Sequence, residues 1–127
     1  MRALLDTSFF VATESGRPLG QMEGVTETEV SVVTLAELTL GVLVADDEDR
    51  ATRVATLSAV ESTWDPLPID AEVARQFARI VAALRFGRRR VPILDALVAA
   101  TAIVEQIPVV TQDNDYEAIP GVLVIRV

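Results

Sequence analysis

The sequence contains no cysteine, no histidine and no lysine, and these three absences narrow the chemistry available to the protein. Without cysteine there are no disulfides, thiolate nucleophiles or cysteine-ligated zinc sites. Without histidine there is no Ser-His-Asp triad, no histidine-ligated zinc and no imidazole base. Without lysine there is no phosphate-loop lysine and no Schiff-base chemistry. If the protein is an enzyme, carboxylates must do most of the work.

Long hydrophobic runs are also missing. The longest segment of apolar residues and threonine, 96–104, is far shorter than the roughly 20 residues that a membrane-spanning helix needs. The amino-terminal apolar run is interrupted by Asp6 and does not resemble a signal peptide. Half of the 127 residues are apolar, which is enough for a substantial core. We therefore expect a single domain over residues 1–127 in a cytoplasmic protein.

The apolar pattern predicts alternating strands and helices. Strands are predicted at 2–5, 29–33, 108–111 and 121–127, with a short edge-like strand at 66–69. Helices are predicted at 7–12, 34–45, 46–63, 70–87 and 93–105. This alternation favours an α/β fold, a three-layer α/β/α sandwich with a mostly parallel central sheet.

Several acids stand where such a sheet forms its sites, at the carboxyl ends of strands and the amino termini of helices. Asp6 closes the first strand, Glu37 lies one turn into a predicted helix, and Asp95 begins a very apolar helix. Asp113 and Asp115 follow the strand predicted at 108–111. We expect these acids to gather at one edge of the sheet.

Each acid also has a local explanation when it is taken alone. Asp6 is a suitable N-cap for the first helix, and Thr34 with Glu37 matches a capping box. Asp95 complements a helix dipole, and the two acids after the last buried strand are common turn formers. Independent caps would not need to converge, however, and crowded carboxylates repel one another unless a cation lies among them. The joint placement favours a hard divalent metal ion.

Four segments resemble the acidic motifs of the PIN-domain ribonucleases, and more narrowly those of the VapC-type toxins of bacterial toxin–antitoxin pairs. They are LLDTS, TLAEL, PILDALVAATA and VVTQDNDYEAIPGVLVI. The resemblance implies a three-layer α/β/α fold, Mg²⁺ or Mn²⁺ as cofactor, and hydrolysis of RNA phosphodiester bonds in transfer or ribosomal RNA. It also implies two protein partners, a cognate antitoxin and a second copy of the chain in a homodimer.

The resemblance also assigns roles to individual residues. Four acids are implied to be catalytic: Asp6, Glu37, Asp95 and Asp113. Three of them are implied to bind the metal: Asp6, Asp95 and Asp113. Three hydroxyl residues stand where the family orients its acids: Thr7, Ser8 and Thr111. Asp113 is preferred as the fourth acid because it lies two residues beyond Thr111. Asp115 is the alternative, or an outer acid that supports the site, because family members more often have an Asp-Phe pair after a longer turn, whereas here Asp115 precedes Tyr116 after a short one. Glu37 either ligates a second ion or orients the attacking water.

The net charge of −8 opposes RNA binding by the bulk field of the protein. Four arginines just before Asp95 nevertheless provide local positive charge for RNA: Arg85, Arg88, Arg89 and Arg90. Arginine grips phosphate through two parallel hydrogen bonds. The alternative is that these arginines form a solvated helix end.

The helix predicted at 34–45 is apolar around most of its circumference. Leu35, Leu38 and Val42 mark one face, and the remaining apolar residues are Ala36, Leu40, Leu43 and Val44. This composition predicts surface left over for a dimer or an antitoxin, with complete burial in the monomer as the alternative.

Two other functions are weighed against a ribonuclease. A haloacid-dehalogenase-type phosphohydrolase would need a second aspartate at position 8, where the chain has Ser8. A catalytically silent PIN-like scaffold or RNA-interaction module is the alternative that remains.

Overall fold

The computed structural model describes all residues 1–127 and contains a four-stranded sheet, five α-helices and one 3₁₀ helix. The strands are β1 (Arg2–Leu5), β2 (Glu27–Glu29), β3 (Val109–Thr111) and β4 (Val124–Arg126). The helices are α1 (Thr7–Ser15), α2 (Val32–Val44), α3 (Asp47–Thr63), α4 (Ala71–Phe86) and α5 (Ile93–Glu105). The 3₁₀ helix spans Asn114–Ala118.

The sheet has the order β2-β1-β3-β4, and every neighbouring pair of strands is parallel. Successive side chains of a strand face opposite sides. Ala3 and Leu5 accordingly pack with Phe10 of α1 and Leu38 of α2, whereas Leu4 packs in a separate cluster. That larger cluster of 14 buried residues contains the apolar faces of α4 and α5. The predicted three-layer α/β/α fold with a parallel sheet is confirmed.

The prediction of the second strand at 29–33 is wrong. The strand ends at Glu29, and α2 already begins at Val32, after Ser31 accepts a hydrogen bond from the amide of Val33 at 3.0 Å. β-branched valines favour strands in isolation, but the serine cap and burial against the core override that preference here. The segment 66–69 is no strand either, since Leu67 makes only an isolated bridge to Ser31.

The other boundaries lie close to the prediction. Helix α1 continues three residues beyond the predicted end at Ala12 and stops at Gly16, which adopts the left-handed conformation with φ 67°. Helices α3, α4 and α5 agree with the predicted segments. No helix combines the length and the apolar character that crossing a membrane requires.

Candidate active site

The predicted acids meet at the edge of the sheet formed by the carboxyl ends of β1 and β3. Asp6 directly follows β1, and Asp113 lies two residues beyond the end of β3. Asp95 is in the first turn of α5, and Glu37 is in α2. Asp95 and Asp113 each bring a carboxylate oxygen within 4.8 Å of the other. Thr111 links Asp6 to Asp113, since it donates to Asp6 and accepts from the amide of Asp113, and Glu37 accepts from Thr7, the residue after Asp6.

Asp6 is 4% exposed, and both of its carboxylate oxygens accept hydrogen bonds. Its Oδ2 accepts from the hydroxyl of Thr111 at 2.9 Å and from the amide of Ser8 at 3.3 Å. Its Oδ1 accepts from the hydroxyl of Tyr116 at 2.8 Å. Asp6 is therefore the N-cap of α1, as its local explanation predicts, and is also held by two distant side chains.

The hydroxyls around Asp6 can donate in only one order. Because Thr111 donates to Asp6, the 3.1 Å contact between the hydroxyls of Ser8 and Thr111 must have Ser8 as donor. The amide of Gln112 donates to Ser8 Oγ at 3.0 Å, and the amide of Asp113 donates to Thr111 Oγ1 at 2.8 Å. This network connects the start of α1 to the turn after β3 and holds Oδ2 of Asp6.

Glu37 is held by a hydroxyl and not by a capping box. Thr7 donates to Oε1 of Glu37 at 2.8 Å, so the hydroxyl of Thr34, 3.0 Å from that of Thr7, is the donor in their contact. Since Ser31 caps α2, Thr34 is an internal and fully buried residue of the helix. The capping-box interpretation of Thr34 and Glu37 is wrong, because the helix begins three residues earlier.

Asp95 shares a small space with the two acids that follow β3. One carboxylate oxygen from each of Asp95, Asp113 and Asp115 lies within 4.8 Å of the other two. Asp113 caps the 3₁₀ helix by accepting from the amide of Asp115 at 2.9 Å, so the cap holds both acids in this position. Both candidates for the fourth acid of the site therefore lie beside Asp95.

Burial, together with the crowding of negative charge, raises the pKa of three of these acids. Burial raises the pKa of Asp95 from its ordinary value of 3.8 to about 8, and its acidic neighbours add to the effect. Burial also raises the pKa of Glu37, against the opposing hydrogen bond from Thr7. The pKa of Asp115 is raised by partial burial and by the charge of Asp113.

The acidic cluster fits a hard divalent cation. Oδ2 of Asp95 is buried and has no hydrogen-bond donor. None of the salt bridges of the molecule involves an acid of the site. A buried carboxylate oxygen without a partner is costly, and the carboxylate oxygens gathered here are ligands of the kind that Mg²⁺ and Mn²⁺ prefer.

The four predicted arginines do not enter the acidic cluster. They line a separate open cavity of about 800 Å³ together with apolar residues that include Leu84, Val91 and Ile93. None of the four makes a salt bridge. Ala96, the residue after Asp95, also lines this cavity, so the arginine-lined cavity and the acidic cluster adjoin the same turn of α5.

The sequence prediction missed Tyr116 and Thr34 as members of the site. Tyr116 is completely buried, and burial with the neighbouring negative charge of Asp6 raises the pKa of its hydroxyl, which therefore acts as a donor. A tyrosine directly after the predicted acids is a signal in the sequence, since a buried tyrosine needs a partner for its hydroxyl. Its partner lies 110 residues away, which no local pattern indicates.

The sequence is similar over nearly its whole length to a family of known proteins. The family model of the PIN domain matches residues 3–122. Ribonuclease VapC4 of Mycobacterium tuberculosis is 44% identical over 126 residues, covering 99% of this chain and 97% of that relative. Ribonuclease VapC5 of the same organism is 44% identical over 125 residues, covering 98% and 92%.

The fold is also similar to that of a solved structure. The crystal structure of VapBC-5 from Mycobacterium tuberculosis, a member of the VapBC family of toxin–antitoxin systems, aligns with a TM-score of 0.89 and 41% identity. The alignment covers 99% of this chain and 98% of that chain. The likeness therefore extends over all the elements that carry the acidic cluster.

Proposed function

The chain belongs to the PIN-domain family and to its VapC group, and from this premise we propose that it is an endoribonuclease toxin that depends on Mg²⁺ or Mn²⁺. Two observations at Asp95 carry the proposal: a carboxylate oxygen of Asp95 lies close to one from each of Asp113 and Asp115, and Oδ2 of Asp95 is buried without a donor. A fold that only needed caps would not bring three acids this close at a cost in charge repulsion.

We assign the cation to Asp95, Asp113 and Asp115, with Asp6 contributing its charge and the lone pair that its hydrogen bonds leave free. Both alternatives for the fourth acid thus have a role, Asp113 through its predicted position and Asp115 through its place in the cluster. When bound, such a cation lowers the pKa of a water molecule and neutralises charge on phosphate oxygens.

We assign to Glu37 the role of general base, which accepts a proton from the attacking water. Its Oε1 is held by Thr7, which leaves Oε2 to accept a proton. Burial raises its pKa above the ordinary value of a glutamate, which makes its carboxylate a stronger base. Thr7, Ser8 and Thr111 hold the acids in place and do not themselves react.

The arginines that line the cavity have no anionic partner in the protein, and the phosphate groups of RNA would provide one. In a chain of net charge −8, four adjacent arginines free of salt bridges form a local exception. Guanidinium groups bind phosphate in a two-pronged manner, and the apolar wall of the cavity can take up a base. We propose that this cavity holds the RNA strand, transfer or ribosomal RNA, next to the scissile phosphate.

The partners proposed for the chain are a cognate antitoxin and a second copy of itself. The exposed half of α2 carries Leu40, Leu43 and Val44, which are 58%, 74% and 68% exposed. The prediction that apolar surface remains on this helix is therefore confirmed, and complete burial in the monomer is excluded. A contiguous apolar face of this kind is typical of a protein interface.

The decisive experiment is RNA cleavage by the purified chain with Mg²⁺ or Mn²⁺ and with EDTA. We expect Asp6→Asn and Asp95→Asn to lower the rate by more than the roughly 10- to 100-fold that loss of an outer partner of a metal ligand costs. Glu61→Gln, which changes an exposed acid of α3, serves as the control and should cleave like the wild type. Equal cleavage by all variants would contradict the assignment of Asp6 and Asp95, whereas no cleavage of any RNA would favour a silent scaffold.

The same preparations test the arginines through RNA binding in EDTA. Arg89→Gln should weaken binding and reduce the slope of log K against log salt by about 0.7 for a single phosphate contact. Arg75→Gln, an exposed arginine of α4 outside the cavity, should leave the slope unchanged. Equal slopes for the two variants would contradict the assignment.

A further inference from the structure

The hydroxyl of Tyr116 takes no part in the proposed reaction and is not needed to fill the core. Tyr116 is 0% exposed and belongs to the larger core cluster, together with Leu4 and Val109 of the sheet. A phenylalanine ring would fill the same space without bringing a polar atom into the core. What the hydroxyl adds is a hydrogen bond of 2.8 Å to Oδ1 of Asp6.

This hydrogen bond changes how firmly the carboxylate of Asp6 is held. An ionised carboxylate has about four lone-pair positions. Thr111 and Ser8 occupy two of them, both on Oδ2. Without Tyr116, Oδ1 would accept no hydrogen bond from the protein, and the carboxylate would be held through Oδ2 alone.

The position of Tyr116 along the chain gives the bond a second consequence. Tyr116 lies in the 3₁₀ helix that Asp113 caps and that also contains Asp115. The bond therefore joins Asp6, at the end of β1, to the short helix that carries two acids of the cluster. It adds a second connection between Asp6 and this turn, beside the one through Thr111, which donates to Asp6 and accepts from the amide of Asp113.

We infer that Tyr116 is a positioning residue whose hydroxyl orients Asp6 toward the acidic cluster and thereby sets the affinity of the site for a divalent cation. The inference rests on the proposed function, because it requires that the cluster binds such an ion. Outer groups that orient the ligands of a metal typically change its affinity about 10- to 100-fold when they are removed.

The test is calorimetric titration of the full chain with Mn²⁺, which needs no RNA and no turnover. We expect Tyr116→Phe to raise the Kd for Mn²⁺ by about 10- to 100-fold relative to the wild type. The matched control is Thr101→Val, which removes another buried hydroxyl, one that donates to the carbonyl of Leu97 within α5. The control should bind Mn²⁺ as the wild type does. Urea unfolding of each variant in EDTA gives its stability separately.

The possible outcomes separate this inference from the proposed function. If the wild type does not bind Mn²⁺, the proposed metal site and the inference both fail. If the wild type binds and Tyr116→Phe binds within twofold of it, the metal site stands and the role of Tyr116 is overturned, whatever its stability. If Thr101→Val weakens binding as much as Tyr116→Phe does, the effect is one of core packing and the inference is again overturned.

Discussion

Asp95 has the most unfavourable surroundings of any acid in the molecule. One of its oxygens is buried without a donor, and burial beside other acids raises its pKa to about 8. A carboxyl whose pKa is higher in the folded protein than in the unfolded chain binds its proton more tightly when folded. Its contribution to stability is therefore complete below about pH 4 and is lost as the pH rises through about 8.

The direction of this pH dependence gives a prediction for the stability of the protein in EDTA. The wild type should lose stability as the pH rises from about 5 to about 8, and Asp95→Asn should lose less, because the amide has no charge to desolvate. At the upper pH the variant should be more stable by on the order of 1–3 kcal/mol, the cost of a buried unsatisfied group. Urea unfolding at both pH values measures the difference.

The control for this prediction is Asp65→Asn, a change to an exposed acid outside the site. It should follow the pH dependence of the wild type. Addition of Mg²⁺ should stabilise the wild type at the upper pH more than it stabilises Asp95→Asn, since the cation takes the place of the missing donor. A wild type and an Asp95→Asn variant with parallel pH profiles would contradict the role of Asp95.

At the scale of elements, α2 determines where Glu37 lies. The helix begins after Ser31, which is 0% exposed and caps the amide of Val33. This start places Thr34 inside the first turns, where its hydroxyl reaches Thr7, and Thr7 in turn holds Glu37. A helix that began at Thr34, as the capping box indicates, would have its threonine hydroxyl occupied by its own backbone.

The contribution of the Ser31 cap to the free energy of unfolding can be measured. Ser31→Ala should lower the free energy of unfolding by about 1 kcal/mol, because the buried amide of Val33 loses its acceptor. Ser58→Ala, an exposed serine in the interior of α3, should change it by less than about 0.5 kcal/mol. Urea unfolding of the two variants checks the difference, and equal losses would show that Ser31 is not the cap.

At the scale of the whole molecule, the acidic site and the exposed apolar surface share helix α2, which carries Glu37 and also the exposed residues Leu40, Leu43 and Val44. The other acids of the site follow β1 and β3 or begin α5. A chain of net charge −8 repels its own copies at long range, so self-association must depend on apolar contact at short range. The exposed face of α2 is where we place that contact.

The prediction for assembly follows from this placement. Leu43→Glu should shift the chain from dimer to monomer in sedimentation velocity, because a charge in an apolar interface loses its hydration. Leu123→Glu is the matched control, since Leu123 is 71% exposed, close to the 74% of Leu43, but is outside α2. The control should sediment like the wild type. A wild type that stays monomeric, or a dimer that survives Leu43→Glu, would exclude this interface.

The sequence by itself determined the layered α/β fold and the kinds of residue in the site. Period and composition predict α3, α4 and α5, because each has a clear start and end or a strong apolar face. The ends of parallel strands indicate which acids converge, since they fall at one edge of a sheet. The absence of cysteine, histidine and lysine already indicates that carboxylates do most of the work in any reaction.

Only the tertiary structure decided how each acid is held. The start of α2 at Val32 depends on a buried serine, and valines in sequence alone favour a strand. The grouping of Asp113 with Asp115 depends on the 3₁₀ turn, and the bond from Tyr116 to Asp6 joins residues 110 positions apart. Local patterns report on neighbours in the chain, whereas hydrogen bonds between distant residues form only when the packed core brings their atoms within 3 Å or so.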